Sequence, residues 1–200
     1  MTGETPYRLA LIVFAALQAS VSLAYLRGTG AGATIFRKRE EGLALSVSIA
    51  VCYLAYGGAV LVYCLNPTWM AWSAVAVPGS IRWLGIVPVL AGAVWIIQAQ
   101  RHLGRNITIS ISTRDRHELV TTGPYSRVRH PLYSAGMIES TGVCLLTSNW
   151  FVTLSAGLFW ILIVLRTPRE EQKLMERFGD DYRNYVRQVG RFVPRSSRGG

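Results

Sequence analysis

Between Leu43 and Leu65 the chain runs for 23 residues without a charged side chain. Crossing a bilayer core of about 30 Å takes roughly 20 mostly apolar residues in an α-helix, and hydrocarbon offers the backbone no partner outside a helix or a closed barrel. The stretch therefore reads as a membrane-spanning helix. A similar run precedes it, Leu9 to Leu26, and another follows, Trp83 to Ala99, with Pro88 near its start. Ser22-Leu23-Ala24 resembles a signal-peptide cleavage site, but the first run is long and its head carries Glu4 beside Arg8, which favours a retained span. Trp69 to Val77 is apolar but short and stops at Pro78-Gly79-Ser80. A second apolar block, Leu132 to Leu165, is broken at Thr147-Ser148-Asn149; its 34 residues are too many for one span and divide there into a tight helical hairpin. The expected fold class is an all-α integral membrane protein with about five transmembrane helices.

Charge supports this and sets an orientation. Charged residues make up 16% of the chain, against about 25% in soluble domains. The 21 Lys and Arg against 11 Asp and Glu would suggest a nucleic-acid partner in a soluble protein, but here they lie between and after the apolar runs. Counted by segment, Lys and Arg number one before the first span, then four, one, six and none in the successive connections, and nine after the last. By the positive-inside rule the N-terminus lies outside, and the loop 101–131 and tail 166–195 share the cytosolic face. Residues 1–200 read as one membrane domain, with spans one to three in 1–100, the hairpin in 132–165 and the tail closing a cytosolic pocket. In that tail Leu174, Phe178, Tyr182, Tyr185, Val186 and Val189 recur at intervals of three and four, an amphipathic helix broken near Gly179.

Cys52, Cys64 and Cys144 sit in apolar runs without metal-ligand spacing and read as small buried hydrophobes; no metal site is expected. His102, His117 and His130 all fall in or beside the cytosolic loop, so the mid-membrane pairing that haem requires is missing. No phosphate-cradling glycine motif is present. What remains is His117-Glu-Leu-Val-Thr-Thr-Gly-Pro-Tyr125, then Ser-Arg-Val-Arg129-His-Pro-Leu-Tyr133 at the head of the fourth span. A helix start beside Arg129 suits an anion, and Tyr125 and Tyr133 can stack on a flat ring; the same residues also suit headgroup anchoring. After the fifth span come Arg166, Arg169, Glu170 and Glu171, either a paired site or a solvated charge run. A hairpin makes the two clusters neighbours.

These segments resemble the isoprenylcysteine carboxyl methyltransferases and their prokaryotic relatives, within the wider group that includes phospholipid N-methyltransferases. The resemblance covers about Leu103 to Pro194 and includes Leu-Val-Thr-Thr-Gly-Pro-Tyr, Arg-His-Pro-Leu-Tyr, Arg-x-x-x-Glu-Glu, and the tail pattern from Phe178-Gly-Asp-Asp-Tyr182 to Arg191-Phe-Val-Pro194. It implies an S-adenosylmethionine pocket closed by the tail, with a lateral opening for a lipophilic small molecule or a prenylated or lipid acceptor. His117, Glu118, Leu119, Val120, Tyr125, Arg129, His130, Pro131, Leu132, Tyr133 and Glu170 are the cofactor residues so implied, and Arg166 faces the acceptor. Ser110 stands where eukaryotic members place a Gln against the cofactor.

The expected activity is methyl transfer to a carboxylate. Methylation of an amine or thiol would need a proton acceptor, for which Glu171 is the nearest candidate. Glu139 lies inside the fourth span, where an acidic residue costs roughly 2.5–3.5 kcal/mol on insertion scales, so it should face the interior, either bonded to a neighbouring helix or lining the acceptor cavity. A sterol-type reductase using NADPH also carries Arg-His-Pro-x-Tyr, but with about twice as many spans and Asn at the position of Leu132. A membrane scaffold that keeps the fold without activity is the non-enzymatic alternative.

Overall fold

The computed structural model describes residues 3–29, 43–103 and 119–195. They form α1 (Thr5–Thr29), α2 (Leu43–Leu65), a short 3-10 helix (Pro67–Ser73), α3 (Gly79–Trp83), α4 (Ile86–Leu103), a 3-10 turn (Gly123–Ser126), α5 (Pro131–Thr147), α6 (Trp150–Phe178) and α7 (Asp180–Gln188). Among the described residues four stretches are long and apolar enough to cross a membrane: Thr5–Leu23, Ala44–Leu65, Gly79–Leu103 and Trp150–Phe178. The remaining expected span, α5, has 17 residues, about 26 Å of helix, and is more enclosed by its neighbours than α1 or α2. Leu17, Leu54, Val87, Leu158 and Leu165 point outward from the long helices, an arrangement suited to hydrocarbon.

The α5–α6 turn falls at the polar triplet. Ser148 takes a left-handed conformation (φ 45°), and Asn149 caps α6 by accepting from the backbone N–H groups of Phe151 and Val152 at 3.0 and 3.1 Å. The Asn149 amide also donates to Met70 O and Ser73 Oγ at 3.2 and 2.8 Å, fastening the hairpin tip to the 3-10 helix. Exposed Trp69, Trp72, Trp83 and Trp150 ring this end at a level suited to a membrane interface.

Lipid cannot drive helices together by the hydrophobic effect, so close packing must do so. The seam between α4 and α5 is built from small residues: a Cβ at Gly92 would lie 2.7 Å from the carbonyl oxygen of Ala135, and one at Gly142 would lie 2.4 Å from that of Gly85. α2 packs on α6.

At the N-terminal end one buried cation gathers four elements. Arg82, 7% exposed, grips both oxygens of Glu4 at 2.6 and 2.7 Å, donates to Leu146 O and Tyr63 Oη, and lies over the Tyr7 ring at 3.7 Å. Tyr63 in turn donates to Glu4 at 2.6 Å.

At the opposite end α6 does not stop where the apolar hairpin 132–165 gives way to the tail. It continues through Pro168 to Phe178, because the ring removes only one backbone donor and the Pro168 side is exposed. The break comes at Gly179, whose φ of 55° turns the chain into α7.

The Arg82 guanidinium holds the Glu4 carboxyl below the usual carboxylate range against the opposing effect of burial. A lowered folded-state pKa contributes stability at neutral pH that is lost as pH falls through that value. Since the Glu4 side chain is 41% exposed and partly screened, Glu4→Gln should cost only about 1 kcal/mol at pH 7, and the difference should shrink as pH falls through the lowered carboxyl pKa, measured as thermal midpoints in detergent at successive pH values.

Candidate functional site

The Glu171 carboxylate is 4% exposed and stands at the meeting point of three chain segments. Its Oε1 accepts from Arg129 Nε at 2.9 Å, His130 Nε2 at 3.2 Å and Arg191 Nε at 3.1 Å, while Oε2 accepts from Arg191 Nη2 at 2.5 Å. A charge this far from water is costly unless its lone pairs are used, and here donors from the head of α5 and from the tail use them. The remaining Arg129 donor group turns toward the tail as well, to the carbonyls of Val186 and Val189. The Glu171 carboxylate also holds the Arg191 pKa above its ordinary value.

The backbone reinforces the charge cluster. Arg129 N–H donates to Gly190 O at 2.8 Å and His130 N–H to Arg191 O at 3.0 Å, with Val128 and Gly190 forming a short parallel bridge. Ser134 Oγ adds a bond to Phe192 O at 2.7 Å, and Tyr185 Oη donates to Tyr125 O at 2.5 Å. Tyr182, Tyr185 and Val189 form a small core that Leu119, Leu174 and Phe178 cover. Burial pushes the Tyr185 hydroxyl up to about 12; that of Tyr182 rises further, from burial and then from the nearby Glu171 charge. The Tyr182 hydroxyl has no hydrogen-bond partner among the described residues.

Beside this cluster, on the membrane side, the rings of His130 and Tyr133 lie parallel, their centroids 5.4 Å apart. Tyr133 Oη donates to Glu170 Oε2 at 2.9 Å. Arg166 is half-buried four residues before Glu170 on the same face of α6.

The structure thus brings Arg129, His130, Tyr133, Glu170 and Glu171 together, with Pro131 opening α5 and Leu132 half-buried beside it. Tyr125 is buried under Tyr185. Three residues stand differently from the sequence expectation. The Arg129 side chain is engaged by the buried Glu171 carboxylate and by carbonyls of the tail rather than turned to a ligand anion. Leu119 packs into the tail core, while Val120 is half-buried. Glu171, considered as a proton acceptor, has both oxygens engaged by cationic groups. His117, Glu118 and Ser110 lie outside the described residues. Sequence reasoning assigned no role to Arg191, Ser134 or Phe192; the Arg-Phe-Val-Pro pattern was the only signal, and Ser134 gave none.

A family model described as phospholipid methyltransferase matches residues 80–181, just over half the chain. The chain belongs to the phospholipid methyltransferase family. It is similar to the probable protein-S-isoprenylcysteine O-methyltransferase of Oryza sativa subsp. indica, 33% identical over 57% of this chain and 61% of that protein. It is also similar to the nickel-cobalt-cadmium resistance protein NccN of Alcaligenes xylosoxydans xylosoxydans, 30% identical over 59% of this chain and 50% of that protein. The chain therefore spans about half to three fifths of the length of these relatives. Its fold matches that of the eukaryotic intramembrane Ras methyltransferase, isoprenylcysteine carboxyl methyltransferase, with a TM-score of 0.54 at 20% identity, over 92% of this chain and 67% of that one. The matched region of the family contains the α4–α5 seam, the head of α5, and α6 through Glu171.

Replacing Glu171 by Gln preserves its shape but leaves the Arg129 and Arg191 guanidinium groups around a neutral amide. Breaking a buried ion pair typically costs about 3–5 kcal/mol, and the loss should appear locally. Trypsin should cleave Glu171→Gln faster at Arg187, Arg191 and Arg195 while the helical content stays that of wild type; equal cleavage rates would show that the tail is held by something else.

Proposed function

We propose that this protein is an S-adenosylmethionine-dependent methyltransferase that acts at the cytosolic membrane surface on a lipophilic carboxylate, most like isoprenylcysteine carboxyl O-methylation. The observation that carries this reading is the convergence of Tyr133 and Glu170 with the parallel His130 ring, immediately above Arg166 and beneath the docked tail. A carboxylate and aromatic faces in one half-buried place suit the hydroxyl groups, purine and positive sulfur of such a cofactor. When bound, the cofactor supplies a sulfonium-activated methyl group. Tyr133, His130 and Glu170 would hold it, with Tyr125, Pro131 and Leu132 around them and His117, Glu118 and Val120 along it by family resemblance. Arg129, Glu171 and Arg191 are positioning residues that keep the tail closed over the site.

The acceptor enters laterally from the bilayer and meets Arg166, the first charged residue after the apolar part of α6. A planar guanidinium grips a carboxylate through two parallel bonds and so fixes the direction of the attacking oxygen. A carboxylate is ionised at neutral pH and needs no proton acceptor, which fits a site whose Glu171 is already engaged on both oxygens. That observation favours the carboxylate over an amine or a thiol. Among the described residues no three His, Cys, Asp or Glu side chains are grouped to hold a metal ion.

Two measurements test the reading. Titration calorimetry with S-adenosylhomocysteine should show binding to wild type and at least tenfold weaker binding to Tyr133→Ala and Glu170→Ala, each retaining its helical content, since a pocket residue contributes little to bundle packing. Wild-type affinity in both variants would remove them from the pocket. Arg166→Lys should keep cofactor affinity but lose about 2–4 kcal/mol of transition-state stabilisation, roughly 30- to 1,000-fold in turnover, because Lys provides charge without alignment. Near-normal turnover would leave Arg166 a membrane-surface anchor.

A further inference from the structure

Glu139 takes no part in the cluster around Glu171. It lies eight residues into α5 from Pro131, about 12 Å deeper in the bundle. Its backbone and Cβ press against α4 where Gly92 has no side chain; a Cβ at Gly92 would lie 2.7 Å from that of Glu139. Oε2 of Glu139 is buried and has no hydrogen-bond partner among the described residues. Neighbouring polar groups are satisfied: Ser140 Oγ accepts from Trp160 Nε1 at 2.9 Å, and Tyr56 of α2 interacts with Ser140.

The surrounding helices supply no cation at this depth. α2 carries no charge, α4 has only Arg101 and His102 in its last turn, and α6 has none before Arg166. The residue nevertheless keeps part of its surface accessible. A carboxyl group left without a partner among apolar helices is expensive, so the position suits a polar group that approaches from the accessible side of the residue.

We propose that Glu139 is a specificity-determining contact for the acceptor, accepting a hydrogen bond from a hydroxyl or ammonium group on the acceptor's apolar body, away from the carboxylate that Arg166 orients. The identity of the ligand as acceptor rests on the function proposed above. An acceptor with a bare hydrocarbon chain leaves the Glu139 carboxyl group without a partner, and a site built for a donor discriminates against the analogue that lacks it. The substrate class is then an amphiphilic acid with a hydrogen-bond donor part-way along its chain.

The test uses the full chain in nanodiscs and three radiolabelled probes: a saturated fatty acid, its mid-chain hydroxylated counterpart and its mid-chain amino counterpart. Equilibrium binding is measured with empty nanodiscs subtracted. Wild type should bind the hydroxylated and amino acids at least tenfold more tightly than the plain acid. Glu139→Leu should bind all three like the plain acid, with unchanged S-adenosylhomocysteine affinity and an equal or higher thermal midpoint, because it removes an unsatisfied buried oxygen. Glu139→Gln retains a neutral acceptor, so it should preserve the hydroxyl preference and reduce that for the amine, which guards against misfolding in the Leu variant. Equal affinity for the three probes in wild type, or the same preference in Glu139→Leu, overturns the proposal. Failure of wild type to bind S-adenosylhomocysteine overturns the methyltransferase reading instead, and the probe preference is read without turnover.

Discussion

The Glu171 carboxylate is the interaction on which the architecture around the site depends. Three donor groups from two distant segments converge on its oxygens, and each is fixed in place by something else: Arg129 by carbonyls of the tail, His130 by stacking on Tyr133, Arg191 by the backbone pairing of Arg191 with His130. The desolvation cost of one buried anion is offset only when all of these are present, so the tail is either docked in one register or not docked. That all-or-none character places Phe192 against the His130 ring and Ser134, next to the residues proposed to hold the cofactor.

The other end of the bundle uses the same device with the charges exchanged. There a buried Arg82 collects an anion, a phenol and a carbonyl. Between the two ends the helices have only packing to hold them, and the glycine seam of α4 and α5 brings their backbones close enough for dispersion to act. Polar clamps at the ends fix which helices are neighbours, and small residues in the middle allow them to touch. The clamp at the N-terminal end therefore bears on the site, since it fixes the α1, α2 and α5 ends from which α5 runs back to His130.

Much of this was legible in the sequence, and the unread part has a physical pattern. Uncharged runs, the polar triplet and Gly179 reveal spans and breaks because each reflects a local rule of helix length, capping or left-handed backbone. The motif residues Tyr133, Glu170 and Glu171 were identified as neighbours because a tight hairpin leaves little freedom. Arg129 and Leu119 were placed on the ligand side, whereas both turn to the tail; nothing local says which of two nearby surfaces a side chain will face. Arg82 was counted only as a connection charge and Glu4 only as a charge at the head of the first span, since their pairing joins residues 78 positions apart. The continuation of α6 past Pro168 was unread because proline marks a lost donor, and only tertiary packing decides whether the helix survives it.

That continuation gives the adjacent carboxylates their different tasks. In a helix, successive residues are about 100° apart around the axis, while residues four apart lie on nearly the same face. Arg166 and Glu170 consequently share one face and Glu171 presents another. Tyr133 lies on the Glu170 side and the tail on the Glu171 side. A helix ending at Pro168 would leave the two acids in a flexible segment, with nothing to hold one toward Tyr133 and the other toward Arg191. The rigid passage of α6 from the apolar layer to the charged surface thus sets Arg166, Glu170 and Glu171 at fixed angles, so that the same element that crosses the membrane aligns the proposed acceptor contact, the proposed cofactor contact and the anchor of the tail.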